Sequence, residues 1–151
     1  MNDFYLLVVG SRSITDYELV SQTLDYILGD IPTHCHVQIV SGGAKGVDEL
    51  AERYAKECGF DTKIFALTKD DWYVVDSATG KKTYNKSAGY ERNKKMHEYI
   101  AQFPYRGVVA FHDGKSKGTL HSVSLARQYN NPIRFIDVNL LKDAIRNASE
   151  N

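Results

Sequence analysis

Five short apolar runs punctuate the chain, and between them apolar residues recur every three or four positions. The runs are Phe4 to Val9, Val37 to Val40, Thr62 to Ala66, Gly107 to Phe111 and Ile133 to Ile136. "YLLVV" and "GVVAF" are almost continuous rather than alternating, which predicts strands covered on both faces. The intervening segments predict helices. Tyr17 to Leu28 follows Asp16 or Thr15 as cap, and Val47 to Cys58 carries Leu50, Ala51, Tyr54, Ala55 and Cys58 on one face before stopping at Gly59. Ala88 to Phe103 sets Met96, Tyr99, Ile100 and Phe103 in helical register. Thr119 to Tyr129 buries Leu120, Val123 and Ala126, and Val138 to Asn147 is the last helix.

Strands alternating with helices predict an α/β fold: a single Rossmann-like domain with a parallel five-stranded sheet, strand order 3-2-1-4-5, and helices on both faces. The expected domain is 1–147, with 148–151 as a frayed tail. In such sheets a ligand crevice opens at the carboxyl ends of the strands, where the strand order reverses. The loops at that place read "GSRS", "SGGAKG" and "HDGKSKGT", all rich in Gly, Ser and cation.

Composition narrows the candidates. The 151 residues are 42% hydrophobic and 25% charged, and 19 Lys and Arg balance 19 Asp and Glu. A net charge of zero argues against a broad nucleic-acid footprint, which needs surplus cation to displace counterions. The apolar run in "MNDFYLLVVGSRS" is too short for a signal sequence or a membrane span, so a cytoplasmic protein without membrane partners is expected. Cys35 and Cys58 do not suggest a disulfide framework. His34, Cys35 and His36 are adjacent, and no second pair stands at zinc spacing. Neither a metal nor a cofactor is expected.

The chemistry gathers in the loops. Gly42 and Gly43, with Ser41 and Ala44, precede a helix whose positive end favours an anion, and the backbone N–H groups of Gly42 and Gly43 are expected to lie bare. The loop matches neither the P-loop nor the dinucleotide pattern, so an ordinary P-loop NTPase is excluded. Gly118 and Thr119 repeat the device at a second helix start, with Ser116 as hydroxyl donor and Lys115 or Lys117 as cation. After the first strand come Gly10, Ser11 and Arg12, the last able to grip phosphate in a fork. Arg92 and Asn93 can project from the third helix, behind Gly89. Trp72 is the only tryptophan, and it either stacks on a base or sugar or anchors its loop. His112 and His121 flank the fourth-strand loop. Ser41 lacks the "GxSxG" setting of a nucleophile, so no Ser-His-Asp triad is read there.

In order, "GSR", "SGGAKGVDELA", the loop tryptophan, "AGYERNKKM" and "AFHDGKSKGT" resemble the YspA-like (cpYpsA-related) branch of the SLOG superfamily, over about residues 5 to 136. That superfamily includes the LOG phosphoribohydrolases and the DNA-processing protein DprA. The resemblance implies a Rossmann-like fold binding nucleotides or nucleotide-derived ligands, with links to ADP-ribose and nucleotide-sugar signalling. Carried over by position, it puts Gly10, Ser11 and Arg12 in the first binding loop and Ser41, Gly42, Gly43 and Asp48 around the second. It sets Arg92 and Asn93 against sugar or phosphate, and has Ser116, Gly118 and Thr119 hold the phosphate. The LOG enzymes carry a glutamate in "PGGxGTxxE", and Ser122 stands in its place here. Glu91, Asp48 and Asp113 are the substitutes in reach, and the spacing selects none.

The expectation is therefore a binding protein for ADP-ribose or a cyclic or sugar nucleotide, acting as sensor, sequestering protein or nucleotide-processing protein. Its rivals are an N-glycosidase acting on a nucleoside monophosphate and a DprA-type single-stranded DNA binder. A homo-oligomer is expected. Residues 73 to 87 read as an insertion forming a hairpin, a lid or an oligomer contact.

Overall fold

A computed structural model describes residues 3–85 and 87–149. The sheet contains β1 (Asp3–Gly10), β2 (His36–Ser41), β3 (Asp61–Ile64), β6 (Arg106–His112) and β7 (Ile133–Asp137), and the excursion between β3 and β6 holds β4 (Tyr73–Val75) and β5 (Lys82–Tyr84). The large sheet is parallel throughout, in the order β3-β2-β1-β6-β7. That is the expected 3-2-1-4-5 order, renumbered by the two strands of the excursion. The 73–87 segment does contain an antiparallel hairpin, β4 with β5.

Helices α1 (Tyr17–Leu28), α2 (Val47–Cys58), α3 (Ala88–Ala101), α4 (Lys117–Gln128) and α5 (Val138–Ser149) complete the layers. The local signals that start and stop them are visible. Asp16 caps α1 by accepting from the Leu19 N–H at 3.1 Å. Gly59 ends α2 in the left-handed conformation. α5 continues to Ser149, past the expected boundary at 147, and residues 150–151 lie outside those described.

Two cores lie on the two faces of the sheet. Leu6 and Val8 of β1 pack with Val20 and Leu24 of α1 and with Ala51, Tyr54 and Ala55 of α2. Leu7 and Val9 face the other way, against Met96 and Ile100 of α3 and Ala126 of α4. This double burial is why "YLLVV" is continuous: every side chain from Leu6 to Val9 is enclosed. Each such aliphatic contributes about 1.5–3 kcal/mol relative to exposure.

α4 packs Ala126 and Val123 into the core as expected, but not Leu120. Its buried face runs through Thr119, Ser122, Leu125 and Ala126, and Leu120 is 48% exposed. Leu120 lies about 100° around the helix from Thr119, so turning two hydroxyl residues inward turns this leucine out. Cys58 is likewise exposed at the end of α2. Phe103 lies beyond the end of α3 and stacks on Tyr5 at 3.7 Å between ring centroids.

Candidate functional site

The chain runs from β1 outward to β2 and β3, then returns to place β6 and β7 on the other side of β1. β1 and β6 stay paired to their carboxyl ends, but the chain leaves them toward opposite faces of the sheet, to α1 and α4, and a cleft of about 520 Å³ opens where the two loops part. Gly10, Arg12, Ala44, Asp48, Trp72, Arg92, Asn93, Asp113, Ser116, Gly118 and Thr119 line it, as do Val9, Ser13, Gly89, Tyr90, Met96, Lys115 and Ser122. Residues 100 positions apart meet here, as when Ser13 Oγ donates to Asp113 Oδ2 at 2.6 Å.

Ser11, Ser41, Gly42, Gly43 and Lys117 do not line the cleft, and the first four are structural. Ser11 is buried and accepts the Asp113 N–H at 3.1 Å, tying the β1 loop to the β6 loop. Ser41 accepts the Gly43 N–H at 3.2 Å and donates to Glu52 at 3.0 Å. The Ala44 N–H is taken by Asp48 Oδ2 at 3.1 Å. The Gly43 amide, expected to lie bare for an anion, is thus satisfied inside the loop, and so is that of Ala44.

The glycines have another purpose, which is close packing. A Cβ on Gly46, which adopts φ +78°, would meet the Ser11 carbonyl oxygen at 2.5 Å and the Arg12 backbone at 2.6 Å. A Cβ on Gly42 would lie 2.9 Å from Asp48 Oδ2 and 3.0 Å from Arg92 Cζ. The Val47 N–H donates to Ser11 O at 3.4 Å. The start of α2 is therefore covered by the β1 loop instead of being presented to the cleft.

The start of α4 is open. Ser116 caps it, accepting the Thr119 N–H at 3.2 Å and the Thr119 hydroxyl at 2.9 Å. With both contacts accepted, the Ser116 hydroxyl hydrogen remains available to the cleft. The Lys117 and Gly118 amides have no partner among the described residues. Unpartnered N–H donors at a helix start favour an anion there.

Arg92 supplies the charge. It is half-buried on α3, and Nη1 donates to Gly42 O at 3.0 Å, which holds the guanidinium over the β2 loop. Its Nε is buried with no partner among the described residues. Burial lowers the Arg92 pKa, with the Asp48 carboxylate opposing that shift. Arg12, exposed at the cleft edge, adds a second guanidinium.

The carboxylates differ sharply. Asp48 is buried, and desolvation pushes its pKa up to about 6 against the opposing pull of the Ala44 N–H and of Arg92. Asp113 is held well below the carboxylate range by the Ser13 hydroxyl and by the Lys115 and Ser116 amides. Glu91 is exposed and accepts from Ser87 at 3.1 Å, and it does not line the cleft.

Aromatic residues close the far wall. Trp72 ends a 3-10 turn, Lys69–Trp72, and stacks on Tyr84 of the hairpin with planes 2° apart and centroids 5.8 Å apart. Tyr90 packs edge-on against His121 at 4.5 Å. Trp72, Gly89 and Tyr90 all line the cleft, and a Cβ on Gly89 would come within 3.9 Å of the Trp72 ring. His112 points back into its own loop, with Nε2 3.2 Å from Ser116 O.

Tyr90, Ser122 and the buried His97 behind Ser122 were not among the site residues expected from sequence. Their only sequence signal is helical spacing: His97 follows Asn93 by four positions on α3, and Ser122 follows Thr119 by three on α4.

No curated protein matches the sequence. Among solved structures, the chain is similar to MurG of Acinetobacter baumannii, at 12% identity and a TM-score of 0.49 over 89% of this chain. It spans 35% of MurG's length. It is also similar to a predicted subunit of tRNA methyltransferase from Methanocaldococcus jannaschii, at 16% identity and a TM-score of 0.39, covering 89% of this chain and 67% of the other. A family model described as YspA, cpYpsA-related SLOG family matches residues 4–72. The match ends at Trp72, before the α3 and α4 motifs. The β1 and β2 loops and the cleft tryptophan fall inside it, and over that segment the chain is similar to the YspA, cpYpsA-related SLOG family.

Proposed function

We propose that the chain binds a nucleotide-derived phosphate ligand, such as ADP-ribose or a cyclic or sugar nucleotide, in the cleft between β1 and β6. It senses or sequesters that ligand. The observation that carries this reading is the buried, unpartnered Nε of Arg92. A buried donor without an acceptor costs about 1–3 kcal/mol, and a phosphate oxygen would remove that cost. The open start of α4 favours the same anion. The aromatic rings of Trp72 and Tyr90 in the lining suit a base or sugar, and a volume of about 520 Å³ suits a ligand of nucleotide size. The family match fits a nucleotide-related role.

The carboxylates favour binding over hydrolysis. Ser122 stands where the LOG pattern has its glutamate, Asp113 is fixed in its ionised form, and one oxygen of Asp48 is engaged by Ala44.

The test is thermal denaturation against a nucleotide panel that includes ADP-ribose, with Arg92→Ala as control. The expected result is stabilisation of several degrees by one member at saturation. Arg92→Ala weakens that binding by roughly 10- to 100-fold, the loss of a charged hydrogen-bonding group. No stabilisation by any member overturns the reading. Release of free base in the same incubations moves it to N-glycosidic hydrolysis with Asp48 as the acid.

A further inference from the structure

A line of hydrogen bonds runs from the amino-terminal end of β6 to the floor of the cleft, and each link fixes the next. Arg106 donates from Nε to Asn131 Oδ1 at 2.6 Å, from Nη1 to Phe103 O at 2.7 Å and from Nη2 to Asn130 O at 3.1 Å. A guanidinium only donates, so the Asn131 atom facing it is the carbonyl oxygen. The Asn131 amide nitrogen therefore faces His97, donating to His97 O at 3.2 Å and lying 3.2 Å from His97 Nδ1. That nitrogen also only donates, so Nδ1 is an acceptor and the ring proton resides on Nε2.

Nε2 lies 3.0 Å from Ser122 Oγ and donates to it. The ring is fully enclosed, and burial pushes its pKa down to about 4, so it stays neutral. Ser122 then has one lone pair occupied by His97, while its hydroxyl hydrogen has no acceptor among the described residues. The residue is 1% exposed and lines the cleft. An enclosed hydroxyl with a free hydrogen is a donor waiting for an acceptor.

We infer that Ser122 is a further ligand-contact residue, donating its hydroxyl hydrogen to an oxygen of the bound nucleotide, and that His97 is the positioning residue that keeps it a donor. The order Ser122, His97, Asn131 looks like a nucleophile with its base, but the protons run the opposite way. With Nε2 protonated and Nδ1 engaged by Asn131, the imidazole has no lone pair for the serine proton. The inference rests on the cleft being the ligand site.

Calorimetric titration with ADP-ribose tests it, on wild type, Ser122→Ala, His97→Phe and His97→Gln. Imidazole ¹⁵N spectra of the ligand-free wild type accompany the titrations. The expected result is a five- to tenfold loss of affinity in Ser122→Ala, about one neutral hydrogen bond. His97→Phe loses as much, and His97→Gln, which keeps an N–H near the Nε2 position, binds within about twofold of wild type. The spectra show His97 as the Nε2–H tautomer. Should the His97→Phe variant fail to fold, His97→Gln and the spectra still decide. An Nδ1–H tautomer overturns the inference, as does unchanged affinity in Ser122→Ala when wild type binds. If wild type binds no member of the nucleotide panel, the proposed function falls and the Ser122 assignment falls with it.

Discussion

Asp48 sits at the conflict between burial and charge. Its ordinary pKa of 3.8 rises to about 6 in the fold. Between about pH 4 and pH 6 the folded state holds a proton that the unfolded chain has released. Stability from this group therefore falls as pH rises through that window, and above pH 6 the whole penalty is present. At about 1.4 kcal/mol per tenfold change in proton affinity, that penalty is on the order of 3 kcal/mol. Asp48→Asn keeps an acceptor for the Ala44 N–H and removes the charge. It is expected to be more stable than wild type at pH 7.5 by about 2–3 kcal/mol in urea denaturation, with no such advantage at pH 4. A variant less stable than wild type at pH 7.5 would show that the Arg92 charge outweighs desolvation. The same group bears on ligand affinity. Neutralising Asp48 removes a negative charge from a cleft proposed to hold phosphate.

At the scale of elements, the decisive junction joins the β1 loop to the start of α2. Gly46 lets the Ser11 and Arg12 backbone lie directly on the helix start. Gly46→Ala sets a Cβ against backbone atoms at 2.5–2.6 Å in a conformation that side chains rarely adopt. A loss on the order of 3–5 kcal/mol is expected from strain and overpacking together. Gly80, in the hairpin turn, separates the two effects: it has φ +71° and nothing within 4 Å of its added Cβ. Gly80→Ala is expected to cost only about 1–2 kcal/mol. Equal losses in denaturant titrations of the two variants would mean that packing at Gly46 is not what requires glycine. The glycine cluster was legible as a demand for close approach. What approaches is the protein's own backbone and the Arg92–Asp48 pair, and residue spacing does not state that.

At the scale of the molecule, the cleft depends on the reversal of strand order at β1 and β6, which sends the loops after these paired strands to opposite faces of the sheet. One wall comes from loops at the sheet ends, and another from α3, α4 and the turn carrying Trp72. Because Trp72 is the only tryptophan, its fluorescence reports on the cleft alone. Titration with ADP-ribose is expected to change its emission saturably, with a midpoint matching the calorimetric affinity. An unchanged spectrum at saturation would mean that the ligand does not reach this wall. Among the described residues no helix is long and apolar enough to cross a membrane.

The amino-acid order by itself determined the sheet and its cover. Continuous apolar runs such as Leu6–Val9 can be buried only between two helical layers, and the helices' three-to-four-residue repeats supply those layers. Asp16 and Gly59 marked helix ends because capping is a local matter of one side chain or one φ angle. The place of the cleft was legible in part, since alternating strands and helices put their connecting loops at the carboxyl ends of a parallel sheet. Only the tertiary structure decided which polar groups remain free. Whether the Gly43 amide, the Ser116 hydroxyl or Arg92 Nε faces a ligand depends on partners that are distant in sequence or set by loop shape. The same holds for Ser122, whose donor role is set through His97 and Asn131 by Arg106. Hydrogen-bond direction is a property of the assembled network, and it exists only once the fold has brought its members within about 3 Å of one another.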